Sequence, residues 1–196
     1  MDLRYIENKY ENMSDGELIR VAIAHAKGLR PEVIEILEKE VKKRNLSPNL
    51  LKGVLAQNKE YTFEEINEYS KLLSSQACPI CNNSSEKLNG TIAHSVKSFI
   101  FFTFYETKPT IACPDCLDKV NNKAMISSLL LGWWGIPSGL IKTPIYIYRN
   151  YKAKKANRLD ISNNTLLNFT LEHIGVIEIY KNDQPKLEEL IKAKNQ

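Results

Sequence analysis

The chain has 196 residues and a formal net charge of +4, and 43% of its residues are hydrophobic while 26% are charged. This composition is that of a folded protein with a core, so it excludes wholesale disorder. The mild positive charge favours anionic partners, such as lipid headgroups or nucleic acid, without selecting between them.

The first 58 residues predict a unit of short helices. Ser14 and Glu17 have the spacing of a capping box, and Thr62 and Glu65 repeat it at the start of a later helix. Two helices joined by a turn can also form a DNA-binding helix-turn-helix, but the second helix carries several glutamates that would repel phosphate. We therefore interpret this region as a packing unit. Because no basic segment followed by an apolar run opens the chain, we expect no secretory signal.

Two Cys-x2-Cys pairs lie in the middle of the chain, Cys78 with Cys81 and Cys113 with Cys116. In a chain without a secretory signal, cysteines act as ligands or redox thiols more often than as disulfides. Two such turns direct four thiolates at one ion, which is the pattern of a structural Zn²⁺ site. Four protein ligands leave no position for a water nucleophile, so we expect a zinc cofactor and no catalytic residue.

Two alternatives to the zinc interpretation remain open. The sequence Cys-Pro-Ile-Cys at residues 78–81 resembles the dithiol of glutaredoxins, which would make the protein a dithiol oxidoreductase. The residues before it lack the strand pattern that such a dithiol follows, and a second matched pair is present. The other alternative is four free structural thiols. His94 lies between the pairs and is expected on a strand face rather than in the metal site.

The residues between the two pairs predict antiparallel strands that bridge them, as in a zinc ribbon. Residues 91–105 are rich in β-branched and aromatic side chains, residues 106–109 give a turn signal, and residues 110–112 return to the second pair. Asn82 follows the first pair and tolerates a left-handed backbone conformation. Leu117 follows the second pair and tolerates it poorly, so the second turn is expected to enter a helix directly.

Residues 124–148 form an apolar stretch whose single charge is Lys142. It is longer than the roughly 20 residues that span a bilayer, but Gly-Ile-Pro-Ser-Gly at 135–139 interrupts it. We therefore expect two short helices that enter a membrane and return, and the alternative is a soluble core or a dimer interface. The side chains expected to contact lipid are Leu129, Leu130, Leu131, Trp133, Trp134, Ile136, Leu140 and Ile141.

Cations flank this stretch on both sides, which favours keeping both of its ends in the cytoplasm. Each cation near an anionic leaflet contributes roughly 1 kcal/mol. We therefore predict a protein on the cytoplasmic side of the inner membrane, with a soluble cytoplasmic protein as the alternative. In that alternative the same cations would bind nucleic acid. The cations expected to bind the anionic surface are Arg149, Lys152, Lys154, Lys155 and Arg158.

Between about residues 76 and 151, both cysteine pairs are joined to the string GWWGIP at residues 132–137. In this respect the chain resembles a group of poorly characterised bacterial proteins that combine a zinc-ribbon-like cysteine set with a GWWGIP-type hydrophobic segment. The resemblance implies that the segment associates with a membrane. It implies no activity and no catalytic residue.

The C-terminal region predicts a small unit in which Ser162 caps a helix, Gly175 ends it, residues 176–180 form a strand and Pro185 opens a last helix. We thus expect an α+β fold and a non-enzymatic, membrane-associated scaffold or adaptor with an unidentified protein partner and no small-molecule substrate. The predicted parts are an N-terminal helical unit (1–58), a connecting helix (59–75), a zinc-ribbon-like domain (76–120), an apolar helical hairpin (121–151) and a C-terminal helix-strand-helix unit (152–196).

Overall fold

The structure is a computed structural model that describes residues 3–99 and 102–195. Within those residues it has ten helices and one two-stranded antiparallel sheet, which confirms the α+β class. The chain divides into two compact units, residues 3–69 with 170–184 and residues 70–169 with 185–195. The elements are α1 (Leu3–Glu11), α2 (Asp15–Ala24), α3 (Pro31–Lys43), α4 (Pro48–Gln57), α5 (Phe63–Ser74), β1 (Asn89–Phe99), β2 (Phe102–Ala112), α6 (Pro114–Leu131), α7 (Ser138–Asn157), α8 (Asn164–Glu172), α9 (Ile174–Tyr180) and α10 (Gln184–Lys194).

The first unit is built from helices around an apolar core. Both predicted capping boxes are present, since the N–H of Glu17 donates to Ser14 Oγ at 3.3 Å and the N–H of Glu65 donates to Thr62 Oγ1 at 3.3 Å. Each cap satisfies a donor that the helix itself leaves free. The most deeply buried side chains of this unit include Leu18, Leu37, Val41, Leu50 and Val54.

The strand predicted at residues 176–180 is wrong, because these residues lie in α9. Gly175 does not end a helix but lies inside α9, where it approaches α4 closely. A Cβ atom on Gly175 would lie 2.6 Å from the carbonyl oxygen of Gly53, and one on Gly53 would collide with Ile179. Short apolar runs are ambiguous between strand and helix, and this glycine-to-glycine packing fits the helical form.

The predicted cap of α8 is displaced by one residue. The N–H of Leu166 in the first turn donates to Asn163 Oδ1 at 3.1 Å, so Asn163 rather than Ser162 caps this helix. The hydroxyl of Ser162 instead accepts a hydrogen bond of 2.7 Å from Ser70.

In the second unit, β1 and β2 pair in register from Asn89 opposite Ala112 to Phe99 opposite Phe102. The turn predicted at residues 106–109 is therefore wrong, because these residues lie in β2. The connection between the strands falls at residues 100–101, outside the described residues. Alternate residues of β2 direct their N–H groups to the same edge, and the N–H of Ile111 faces the outer edge. Pro109 lies two residues before Ile111, so the N–H that it lacks would also face outward. Proline is therefore tolerated there, because no hydrogen bond to β1 is lost.

An asparagine side chain pairs with one residue on the outer edge of each strand. The carboxamide of Asn150 in α7 accepts from the His94 N–H at 2.9 Å and donates to the His94 carbonyl at 2.6 Å. Asn195 does the same for Ile111, at 2.9 and 2.8 Å. At that residue each carboxamide thus takes the place of a peptide group in a neighbouring strand, and this part of the edge is paired.

Helices α6 and α7 are joined by residues 132–137, and both pack on β1. They are longer than the predicted apolar arms because their polar halves are helical too. Small residues recur at four-residue spacing where α6 faces its neighbours, at Ala124, Ser128 and Gly132, all buried. A Cβ atom on Gly132 would collide with Thr143 of α7, so the close approach requires glycine. Over residues 3–99 and 102–195, no helix is both long enough and apolar enough to cross a membrane.

Candidate metal centre and exposed apolar end

The structure brings the four predicted cysteines together. Their sulfur atoms all lie within 4.8 Å of one another, and the Sγ atoms of Cys81 and Cys113 are 3.7 Å apart. Tetrahedral coordination with metal–sulfur bonds of about 2.3 Å places sulfur atoms about 3.8 Å apart, whereas a disulfide needs about 2.05 Å. The cluster therefore fits a single tetrahedral metal ion, and the four cysteines are free thiols.

The two turns position their thiols in different ways. After the first pair the backbone of Asn82 is left-handed, with φ of +58°, and the N–H of Cys78 donates to the Asn83 carbonyl at 2.9 Å. In the second pair Cys113 is the N-cap of α6 and Pro114 is its first residue. Both expectations from the residues that follow the pairs are confirmed.

The surroundings of three of the thiols shift their pKa values in opposite directions. Burial opposes ionisation of Cys78, but the backbone N–H groups of Cys113, Cys81 and Ile80 outweigh it and lower the pKa of this thiol to about 7. Burial raises the pKa of Cys113 to about 11, and burial together with the neighbouring thiols also raises the pKa of Cys116. A bound divalent cation supplies the positive charge that lets such buried thiols ionise.

The cluster is closed. Cys78, Cys113 and Cys116 are exposed by no more than 3%, and only the side of Cys81 faces solvent. Among the described residues, no histidine or carboxylate joins the four sulfurs. His94 lies instead on β1, with its ring centroid 5.3 Å from that of Tyr146. The four cysteines could thus hold a metal ion where the base of the β1–β2 hairpin meets the start of α6.

All eight side chains predicted to contact lipid are exposed, from 38% for Trp133 to 80% for Ile136. The buried positions of the same segment carry small residues, among them Ser128, Gly132 and Thr143. The alternative in which this stretch forms the core of the chain is therefore wrong.

The β1–β2 hairpin contributes further exposed apolar side chains to this surface, and these were not among the residues predicted to contact lipid. Phe99, Phe102 and Phe104 are each at least 60% exposed near the hairpin tip. Ser98 Oγ donates to the Gly132 carbonyl at 2.9 Å, so the end of β1 and the start of β2 lie beside the α6–α7 turn. We call the resulting surface the apolar end, and it consists of Phe99, Phe102, Phe104, Leu129, Leu130, Leu131, Trp133, Trp134, Ile136, Leu140 and Ile141. In the sequence, the small polar residues Ser98 and Thr103 alternate with the phenylalanines, and this alternation could have predicted that the phenylalanines share one exposed face.

Polar groups are buried behind the apolar end. Ser128 Oγ accepts from the Val96 N–H at 3.1 Å and donates to the Ala124 carbonyl at 2.9 Å. Further along, Asn121 and Thr91 are joined by a 3.1 Å hydrogen bond and are both buried. In this part of the second unit, small and hydroxyl-bearing residues such as Ser128 and Thr91 are thus buried, while the large apolar side chains of the apolar end are exposed.

The predicted basic residues do not form one free patch. Arg158 contacts Asp115 at 2.8 Å and Asp118 at 2.9 Å, so it ties the end of α7 to α6. Lys154 Nζ donates to Asn122 Oδ1 at 3.2 Å, and Arg149 lies over the Tyr146 ring. Lys152 and Lys155 are exposed and make no ion pair with any residue that the structure describes.

Comparison with known proteins gives no relative from which a role could be transferred. No protein-family model and no curated protein matches the sequence, and no solved structure matches the fold. The resemblance to bacterial proteins with a GWWGIP-type segment stays a prediction.

Proposed function

We propose that the protein is a non-enzymatic adaptor that holds a structural Zn²⁺ and binds one leaflet of an anionic membrane through its apolar end. One observation carries the proposal. Large apolar side chains from two separate elements, the β1–β2 hairpin and the α6–α7 turn, are exposed together, while the groups buried behind them are small or polar. Exposing these large apolar side chains to water is unfavourable in free energy, and contact with lipid would stabilise the arrangement.

The dimensions suit insertion into a single leaflet. The apolar part of α6, residues 124–131, rises about 12 Å at 1.5 Å per residue. The hydrocarbon core of a bilayer is about 30 Å thick, so this depth corresponds to less than half of it. Lys142 lies within the segment, and its long side chain can extend toward the headgroups.

Two backbone groups near the apolar end are satisfied within the protein, as a lipid environment requires. The Val96 N–H donates to Ser128, and the Gly132 carbonyl accepts from Ser98. Beyond the inserted part, α7 presents the exposed cations Lys152 and Lys155 toward solvent. These charges would lie at the level of anionic headgroups on the cytoplasmic face.

Zinc is the metal that the donor set favours. Four thiolates select soft or borderline cations in tetrahedral geometry, and a closed shell supplies structural rather than catalytic chemistry. In this role the ion neutralises the thiolates and fixes the base of the hairpin, while Cys78, Cys81, Cys113 and Cys116 hold it. The protein partner of the proposed adaptor is unidentified.

Nucleic-acid binding has less support. It relied on a free row of cations along α7, and Arg158 is instead held by Asp115 and Asp118. Two exposed lysines supply little phosphate neutralisation by comparison with the several contacts that such binding uses.

Flotation of the zinc-loaded protein with vesicles of phosphatidylcholine and phosphatidylglycerol tests the proposal. We expect flotation that survives a high-salt wash, and its loss in a Trp134→Asp/Ile136→Asp variant whose zinc content is unchanged. Leu55→Asp is the matched control, because Leu55 is 58% exposed in the first unit and outside the apolar end. Wild-type protein that stays at the bottom contradicts the proposal, and a stable dimer without lipid would show that a second copy covers the surface.

A further inference from the structure

A second possible site lies apart from the metal centre, in a cavity of about 400 Å³ between the β1–β2 hairpin and α6. This volume is within the range of small-molecule sites. Its inner wall is formed by buried residues, including Ala93, Ser95, Thr110 and Ala124. The cavity is therefore built from the same three elements that the cysteine cluster holds together at their base.

Positive charge converges on this cavity. Lys97, Lys108 and Lys123 line it together with one carboxylate, Glu106. Glu106 is engaged by Lys97 at 3.7 Å and accepts a hydrogen bond of 3.3 Å from Ser95. Lys108 and Lys123 have no ion-pair partner in the part of the chain that the structure describes. Their charge is thus available to an anion in the cavity.

A buried hydroxyl in the cavity wall lacks a partner. Thr110 is 2% exposed, and its Oγ1 makes no hydrogen bond with any described residue. A buried hydroxyl that stays unpaired lowers the stability of the folded state. Buried hydroxyls are nearly always bonded, so a partner that the described chain does not supply would stabilise this one.

We infer that this cavity binds the phosphate group of a small phosphate ester. Lysines bind phosphate as point charges, and the Thr110 hydroxyl adds a neutral donor. The apolar side chains of Ile80 and Val120 in the wall suit the carbon part of an ester better than a bare ion. The ester can be a soluble metabolite or a phospholipid headgroup, since α6 runs from the cavity at Ser127 into the apolar end at Leu129.

Calorimetric titration of the zinc-loaded, full-length protein with glycerol phosphate tests the soluble source without any membrane. We expect binding that Lys108→Ala and Lys123→Ala each weaken about tenfold, the loss of one charge-assisted hydrogen bond. Thr110→Val should also weaken binding while leaving the melting temperature unchanged or higher, because it removes an unpaired hydroxyl. Lys87→Ala and Lys119→Ala, at exposed lysines outside the cavity, are the matched controls and should bind as the wild type does.

Flotation with phosphatidylcholine vesicles, with and without phosphatidic acid, tests the headgroup source. In that case the wild type prefers the vesicles with phosphatidic acid, and the Lys108→Ala/Lys123→Ala variant loses the preference. The inference is overturned if the wild type neither binds glycerol phosphate nor shows this preference, or if the lysine and Thr110 variants change neither. A protein that fails to float would contradict the proposed membrane role and leave the calorimetric test standing.

Discussion

At the scale of single residues, four cysteine sulfur atoms converge within 4.8 Å of one another, and three of these cysteines are buried. Their spacing alone predicted the cluster, because two Cys-x2-Cys turns have few other uses and each turn is local in sequence. The burial of Cys78, Cys113 and Cys116 was not readable from the sequence, since it depends on how the β1–β2 hairpin folds back onto α6.

Replacing Cys116 by Ser should abolish zinc binding and unfold the second unit, because metal binding and folding are coupled at such sites. Zinc content and the thermal melting profile measure both effects. His94→Ala is the matched control and should retain zinc, since His94 lies outside the cluster. Full zinc content and an unchanged melt in the Cys116→Ser variant would contradict the assignment of the site.

A buried carboxylate in the first unit makes a separate prediction about pH. Burial opposes ionisation of Glu40, but hydrogen bonds from Lys43 and Arg44 outweigh it and lower its pKa. A lowered folded-state pKa stabilises the unit above the unfolded value of about 4.3, and this contribution is lost as the pH falls below that value. Glu40→Gln should therefore destabilise the protein by about 2 kcal/mol at neutral pH and flatten the acid limb of its stability. An acid limb equal to that of the wild type would count against this role.

At the scale of elements, two predictions were wrong for a common reason. Residues 106–109 read as a turn because of Pro109, yet an outer-edge position in β2 tolerates proline. Residues 176–180 read as a strand because they are β-branched, yet α9 packs on α4 through Gly175 and Gly53. In both cases a contact distant in sequence decides between two locally acceptable conformations.

The hydrogen bonds of Asn150 to the edge of β1 could not be predicted from the sequence, because its partner His94 is far away along the chain. Asn150→Ala would leave the His94 N–H and carbonyl unpaired on the edge of β1. We expect a loss of about 3 kcal/mol in the free energy of unfolding, measured by urea denaturation. Asn122→Ala is the control, since within residues 3–99 and 102–195 the Asn122 side chain bonds only to the side chain of Lys154. Equal stabilities of the two variants would refute the edge-closing role.

At the scale of the whole molecule, the proposed membrane binding depends on the apolar end. The helical part of this surface was predictable from an apolar stretch interrupted by Gly-Ile-Pro-Ser-Gly. The exposure of the hairpin phenylalanines had a sequence signal in their alternation with Ser98 and Thr103, but their position did not, because only the fold places Phe102 and Phe104 beside the α6–α7 turn.

Phe102→Asp/Phe104→Asp should therefore weaken vesicle binding about tenfold or more without changing zinc content, since a buried phenylalanine contributes about 1.5–3 kcal/mol. Ile92→Asp is the control on the same hairpin, distant from the tip and 40% exposed. Vesicle binding equal to that of the wild type would mean that the hairpin tip stays out of the lipid.

Tryptophan fluorescence tests most directly whether the apolar end inserts into a membrane. The chain has two, Trp133 and Trp134, and both belong to the apolar end. Anionic vesicles should shift their fluorescence to shorter wavelength, lipids brominated along the acyl chain should quench it, and aqueous acrylamide should quench it less than before. Emission and acrylamide quenching that vesicles leave unchanged would contradict insertion of the apolar end into a membrane.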